Sequence, residues 1–119
     1  MGKQPKFCIA HIAMNTAGEA EARDITQLMQ SAFGISSQEG AKSYITGNVI
    51  EVIKGGYLGT NGHIAIGTPD IDAAVAYLEE KGLRFDPTTT EWDENGKKIV
   101  YLDHELAGFA LHLVRKELK

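Results

Sequence analysis

The chain has 119 residues, 43 % of them apolar and 24 % charged, and a formal charge of −4. That length supports a core without disulfides or a structural metal, and the acidic balance excludes the clustered basic excess of a nucleic-acid surface. A single cysteine, Cys8, rules out an internal disulfide and any reliance on an oxidising compartment.

Residues 1–6 lead into a short apolar stretch that lacks the apolar length and cleavage site of a signal peptide. No run approaches the roughly 18 apolar residues of a membrane helix. The expectation is a cytoplasmic protein folded as one domain over 1–119. Arg115, Lys116 and Lys119, interrupted by Glu117, read as a solvated basic tail.

In chain order, the first predicted element is a strand over 8–15. Next comes a helical pattern in which Ile25, Leu28, Met29, Ala32 and Phe33 recur and Gly34 stops the run. A short strand near 35–38 and a hairpin of 43–46 with 49–54 follow. The segment Gly55-Gly56-Tyr57-Leu58-Gly59-Thr60-Asn61-Gly62 reads as a linker; no Lys-Ser or Lys-Thr pair follows it, and a strand comes next, against a phosphate loop. That strand, from His63, leads into a second helix marked by Ile71, Ala74, Val75 and Leu78 and stopped by Gly82. Pro69 suits its first turn, and Thr68 or Asp70 its cap. Strands over 84–89, 98–103 and 109–115 complete the chain, with Asn95-Gly96 as a two-residue hairpin signal.

The organisation is a duplication. His11-Ile12-Ala13-Met14-Asn15-Thr16 matches His63-Ile64-Ala65-Ile66-Gly67-Thr68 at an offset of 52 residues. Each half reads as βαβββ, with modules of about 6–55 and 62–116. The expected fold is α+β: two modules whose sheets join into one curved mixed sheet around a cavity, helices outside. Open sheet edges in so short a chain predict self-association, a homodimer.

Strand side chains alternate between faces. Cys8, Ala10, Ile12 and Met14 form an apolar, helix-facing set, which puts Ile9, His11 and Ala13 on the other face. Glu51 shares a face with Val49 and Ile53, and a carboxylate inside Val49-Ile50-Glu51-Val52-Ile53 is costly unless paired, protonated or bound to an ion. His63 shares a face with Ala65, and His112 with Ala110 and Val114. Each half thus supplies one ligand-type side chain from its first strand and one from its last: His11 and Glu51, then His63 and His112. Imidazole and carboxylate suit zinc, nickel, cobalt, manganese or ferrous iron. Four such residues at matching places predict one divalent metal site. His104 in Asp103-His104-Glu105 reads as an exposed turn residue, Trp92 as hairpin packing or part of a lid, Cys8 as a small core residue, and Tyr101 as a residue that reaches the cavity or the core.

With the two halves and four positions in hand, the chain resembles the vicinal oxygen chelate superfamily, also called the glyoxalase and bleomycin-resistance family, over nearly its whole length. The ending Gly108-Phe109-Ala110-Leu111-His112-Leu113-Val114 is similar to the family's usual ending, with His112 where Glu is common. Tyr57 to Thr68 and that ending more closely resemble a domain fused behind some bacterial 2-keto-3-deoxy-6-phosphogluconate aldolases; the aldolase barrel is absent here, so its activity does not carry over. The resemblance implies His11, Glu51, His63 and His112 as ligands of a divalent ion that holds two neighbouring substrate oxygens and stabilises an oxyanion. Glu51 is then either the general base or a structural ligand. The implied function is a glyoxalase-like lyase or isomerase on a small oxygenated carbonyl or hydroxy-acid substrate. The alternatives are a non-catalytic ligand binder or an accessory domain with an aldolase partner. His112 in place of a carboxylate, and the scatter of Arg23, Arg84 and Arg115, argue against glyoxalase I activity on a glutathione adduct.

Overall fold

A computed structural model describes residues 4–118; Lys119 of the basic group and residues 1–3 of the leading segment lie outside it. The elements are β1 (Cys8–Met14), α1 (Glu19–Phe33), β2 (Ser37–Glu39), β3 (Ser43–Thr46), β4 (Ile50–Ile53), β5 (Gly62–Thr68), α2 (Ile71–Glu80), β6 (Phe85–Asp93), β7 (Gly96–Leu102) and β8 (Phe109–Arg115). This is βαβββ twice. All eight strands form one open mixed sheet in the order β2-β3-β4-β1-β5-β8-β7-β6. The halves meet where β1 runs antiparallel to β5, and each module closes by a parallel pairing, β1 with β4 and β5 with β8.

The helices cover one face of the sheet. Ala22 of α1 packs with Tyr44 and Val52 over the first module, joined by Ile25 and Ile50. Ile71 and Ala74 of α2 pack with Val100 and Leu113 over the second, joined by Ile66, Val75 and Leu78. The opposite sheet face is left to the cavity. Among the described residues no helix is long and apolar enough to cross a membrane.

Several local expectations are corrected. The buried stripe of α1 is Ala22 and Thr26, with Ile25 and Met29 half-buried, whereas Leu28 and Phe33 stand more than half exposed and Ala32 is exposed. The cluster of Tyr44, Ile50 and Val52 beneath α1 meets one file of its side chains, at i, i+3, i+4 and i+7. Gly34 ends α1 in the left-handed conformation, as glycine allows at this position. In α2 the cap is Asp70, whose carboxylate accepts from the Ala73 N–H at 3.1 Å, so Pro69 precedes the helix instead of opening it.

The Asn95-Gly96 signal is displaced by one residue. Asp93 pairs with Gly96, the turn residues are Glu94 and Asn95, and only Gly96 takes a positive φ. Asp93 accepts the Asn95 N–H at 2.8 Å, which supplies a local turn without a left-handed Asn95. Tight turns with two consecutive positive φ values occur instead at Gly47-Asn48, between β3 and β4, and at Ala107-Gly108, just before β8. Arg115 is not a tail residue: it ends β8, donates to the Lys97 carbonyl at 2.7 Å and pairs with Asp93, clasping the β6–β7 hairpin. Trp92 is 65 % exposed with Lys97 over its ring, so it packs little of the hairpin.

Candidate metal centre

The pairing of β1 with β5 sets the two copies of His-Ile-Ala against each other. His11 lies opposite Ala65, Ile12 opposite Ile64, and Ala13 opposite His63. The parallel pairings extend each row: Glu51 lies across from Ala13, and His112 across from Ala65. Each fully buried alanine is therefore flanked on one sheet face by two ligand-type side chains. A methyl group there leaves room above it, and the four longer side chains lean into that space.

The resulting geometry is tight. His11 Nε2 and His63 Nε2 are 3.3 Å apart, and Glu51 Oε1 lies 3.4 Å from the first and 3.5 Å from the second. The donor nitrogens of His11, His63 and His112 all fall within 4.8 Å of one another. Ligand atoms at 2.0–2.2 Å around a tetrahedral ion are separated by about 3.3–3.6 Å. The His11–His63–Glu51 triangle has those edges. All four residues named from the sequence line one cavity of about 540 Å³, whereas His104 is exposed and pairs with Asp103.

Electrostatics agree with ligation. Burial lowers the pKa of His112 to about 4, countered in part by its hydrogen bond to the Leu113 carbonyl, and burial lowers that of His11 as well. Both rings are thus neutral near pH 7. His112 Nδ1 sits 3.1 Å from the Leu113 carbonyl and donates to it, which leaves the Nε2 lone pair free. Glu51 is held down to about 2, chiefly by its hydrogen bond with His63 and then by that with Ser43, against the opposing effect of burial. Among the described residues the buried Nδ1 of His63 has no hydrogen-bond partner. Its ring is held by packing instead, with the Tyr57 and Tyr101 rings at 5.9 and 6.5 Å. Three imidazoles and one carboxylate, facing one another without a lysine or arginine among them, fit a divalent ion of the kind the sequence suggests.

The site holds more than those four residues. Ser43 of β3 donates to Glu51 Oε2 at 2.8 Å. Tyr101, 5 % exposed, lines the cavity with its ring centroid 4.7 Å from that of His112. Burial raises its pKa, with the nearby Tyr57, Glu91 and Glu51 acting the same way, so its hydroxyl stays a donor at neutral pH. Glu19, Lys42, Lys54, Tyr57 and Glu91 complete the mouth. Strand alternation would have found Ser43, which shares a face with Ile45, the direct partner of Glu51. No periodic signal marks Tyr57. It lies in the glycine-rich segment, which does join the halves but is also strapped down as a wall of the site. Asn15 accepts the Tyr57 N–H at 3.2 Å and donates to the Gly59 carbonyl at 2.8 Å, and Thr60 donates twice to Glu105. A Cβ on Gly59 would come within 1.8 Å of the Gly62 carbonyl oxygen, and one on Gly62 within 1.9 Å of that of Ala13, so the glycines serve close approach.

A bulge at Ala10 breaks the alternation of β1, and Ile9, expected beside His11, points away at 61 % exposure. Bulges often re-aim a side chain beside a site.

No protein-family profile matches the sequence, and no curated protein matches it. Solved structures do. A selenomethionine methylmalonyl-CoA epimerase aligns with a TM-score of 0.69 at 16 % identity, over 98 % of this chain and 100 % of that one. A Streptomyces coelicolor methylmalonyl-CoA epimerase variant in complex with 2-nitronate-propionyl-CoA aligns at 0.57 and 18 % identity, over 90 % and 92 %. A homoprotocatechuate 2,3-dioxygenase variant from Brevibacterium fuscum aligns at 0.58 and 17 % identity, over 97 % of this chain and 34 % of that one. The chain therefore has the vicinal oxygen chelate fold, which the epimerases and the dioxygenase share.

Proposed function

We propose that the protein binds one divalent metal ion through His11, Glu51, His63 and His112. On this reading it is a glyoxalase-like enzyme acting on a small substrate with neighbouring oxygens, a carbonyl or hydroxy-acid compound. The observation that supports this most is the 3.3–3.5 Å triangle of His11 Nε2, His63 Nε2 and Glu51 Oε1, opening on a cavity that an alanine floor keeps clear. A bound divalent ion supplies Lewis-acid charge that stabilises negative charge building on a substrate oxygen. His11 and His112, neutral through burial, keep a lone pair available at neutral pH. Glu51, ionised, removes one unit of the ion's charge and leaves the rest for the substrate. Tyr101 offers an O–H from the cavity wall to the same oxygen. With a pKa held near 2, Glu51 is a weak base where it stands, so its first role here is ligand; it takes a proton from carbon only when its hydrogen bonds to His63 and Ser43 loosen. Proton exchange beside a carbonyl is also consistent with the similar structures named as epimerases of a CoA thioester.

The test is elemental analysis of the purified protein, followed by proton NMR in D2O with α-hydroxy acids, α-keto acids and acyl thioesters, before and after chelation. The expected result is one divalent ion per chain and metal-dependent loss of the signal from the proton beside the carbonyl. Failure to bind any divalent ion would overturn the reading as a whole. Tight binding without exchange would overturn the enzymatic half and leave a ligand-binding protein.

A further inference from the structure

Two hydroxyls of β3 behave differently. Thr46 pairs with Ser37 of β2 at 2.7 Å, an ordinary cross-strand bond between hydroxyls. Ser43, at the other end of the same short strand, makes no such pair. It reaches diagonally across β4, whose Glu51 lies directly opposite Ile45, and donates to Glu51 Oε2 at 2.8 Å. The backbone around Ser43 is fixed on both sides: its carbonyl accepts the Gly40 N–H at 2.8 Å, and the Lys42 carbonyl accepts the Lys54 N–H at 2.9 Å. The hydroxyl is therefore an anchor attached to a rigid hairpin.

That anchor divides the two oxygens of Glu51. Oε2 is occupied by Ser43, while Oε1 alone faces the His11 and His63 nitrogens at 3.4 and 3.5 Å. An untethered carboxylate can turn both oxygens to a cation and take up two coordination positions. Building on the metal-binding reading above, we propose that Ser43 is a positioning residue of the centre. Its hydroxyl restricts Glu51 to one-oxygen ligation and so keeps a coordination position open for a substrate oxygen. Groups bonded to metal ligands in this way typically contribute 10–100-fold to metal affinity.

The experiment is a double-mutant cycle read by cobalt(II) binding to the metal-stripped protein, following affinity and the visible absorption of the bound ion. The variants are Ser43→Ala, Glu51→Gln and the pair. Loss of one half-buried hydroxyl leaves the fold in place, which the melting temperature of each metal-free variant checks. Ser43→Ala should weaken cobalt binding about tenfold or more and alter the absorption, because the carboxylate becomes free to change its mode. In the Glu51→Gln background the same substitution should change affinity less than about twofold, since the tether then holds no charged ligand. Wild-type affinity and spectrum in Ser43→Ala would overturn the proposal, as would an equal loss in both backgrounds, which marks a general effect on the hairpin. Failure of the unsubstituted protein to bind cobalt would overturn the metal centre itself, and Ser43's role with it; binding that ignores Ser43 would overturn the tether alone.

Discussion

Replacing His63 with alanine removes one corner of the 3.3–3.5 Å triangle and should separate a metal site from a merely crowded cluster. With an ion present at about 100 times its dissociation constant, binding adds roughly 2.7 kcal/mol to the native state. For a domain of 119 residues each kcal/mol moves the melting temperature by about 3–6 °C, so the unsubstituted protein should gain about 8–16 °C on loading. Groups that only orient ligands contribute 10–100-fold, so loss of a ligand should cost more than about 100-fold. At the same ion concentration the variant would then sit at or below its own dissociation constant. The gain shrinks to about 0.4 kcal/mol or less, at most about 1–2.5 °C. Metal-free baselines are needed because His63 is buried and its removal leaves a void; its unpartnered Nδ1 means that no hydrogen-bond partner is orphaned at that end. The assay is thermal unfolding with and without zinc, with His104→Ala as the control expected to keep the whole gain. A His63→Ala protein that still gains about 8–16 °C would refute the reasoning.

Two further outcomes follow from the same geometry. Ala65→Val inserts two methyl groups between His11 and His112, its neighbours on either side; the variant should lose about 1–3 kcal/mol from overpacking and most of its zinc-dependent gain, and unchanged melting in both states would count against the alanine floor. In the metal-free protein the His112 pKa falls from 6.5 to about 4 on folding, so the unfolded chain takes up the proton first; stability is complete above about pH 6.5 and declines by up to about 3 kcal/mol as pH drops to 4. Glu51 adds a further loss between about pH 4.5 and 2; urea unfolding that gives the same free energy at pH 7 and pH 4 would refute the His112 assignment, and no further loss between about pH 4 and 2 would refute that of Glu51.

The readable part of the sequence was the part governed by strand period. His11, Glu51, His63 and His112 each stand among apolar residues of opposite parity, so two-residue alternation alone assigns them to one sheet face. The ends of β3 and β8 followed from the same pattern. Where position depends on what lies underneath, sequence was a poorer guide. Leu28 and Phe33 satisfy helical spacing yet stay exposed, outside the cluster that Ala22 and Ile25 make with Tyr44, Ile50 and Val52. The bulge at Ala10 and the Glu94-Asn95 turn are settled by hydrogen bonds to a neighbouring strand or side chain that periodicity does not encode. Tyr57 is the clearest omission: its place beside His63 depends on Asn15, which is 42 residues away in the chain.

The repeat also explains why the site is symmetric in construction and asymmetric in chemistry. When two identical His-x-Ala strands pair antiparallel about their central residues, each histidine must fall opposite the other's alanine, as His11 does with Ala65 and His63 with Ala13. Duplication thus creates two ligands and two clear spaces together. The parallel strands β4 and β8 then bring Glu51 and His112 to equivalent places beside Ala13 and Ala65. Only there do the halves diverge: Glu51 is tied to Ser43 and keeps its charge, while His112 sits deeper, bonded to its own strand and kept neutral by burial. A centre with two carboxylates would leave a divalent ion without net charge. With one it keeps a single positive charge, which is the property that the proposed stabilisation of a substrate oxyanion requires.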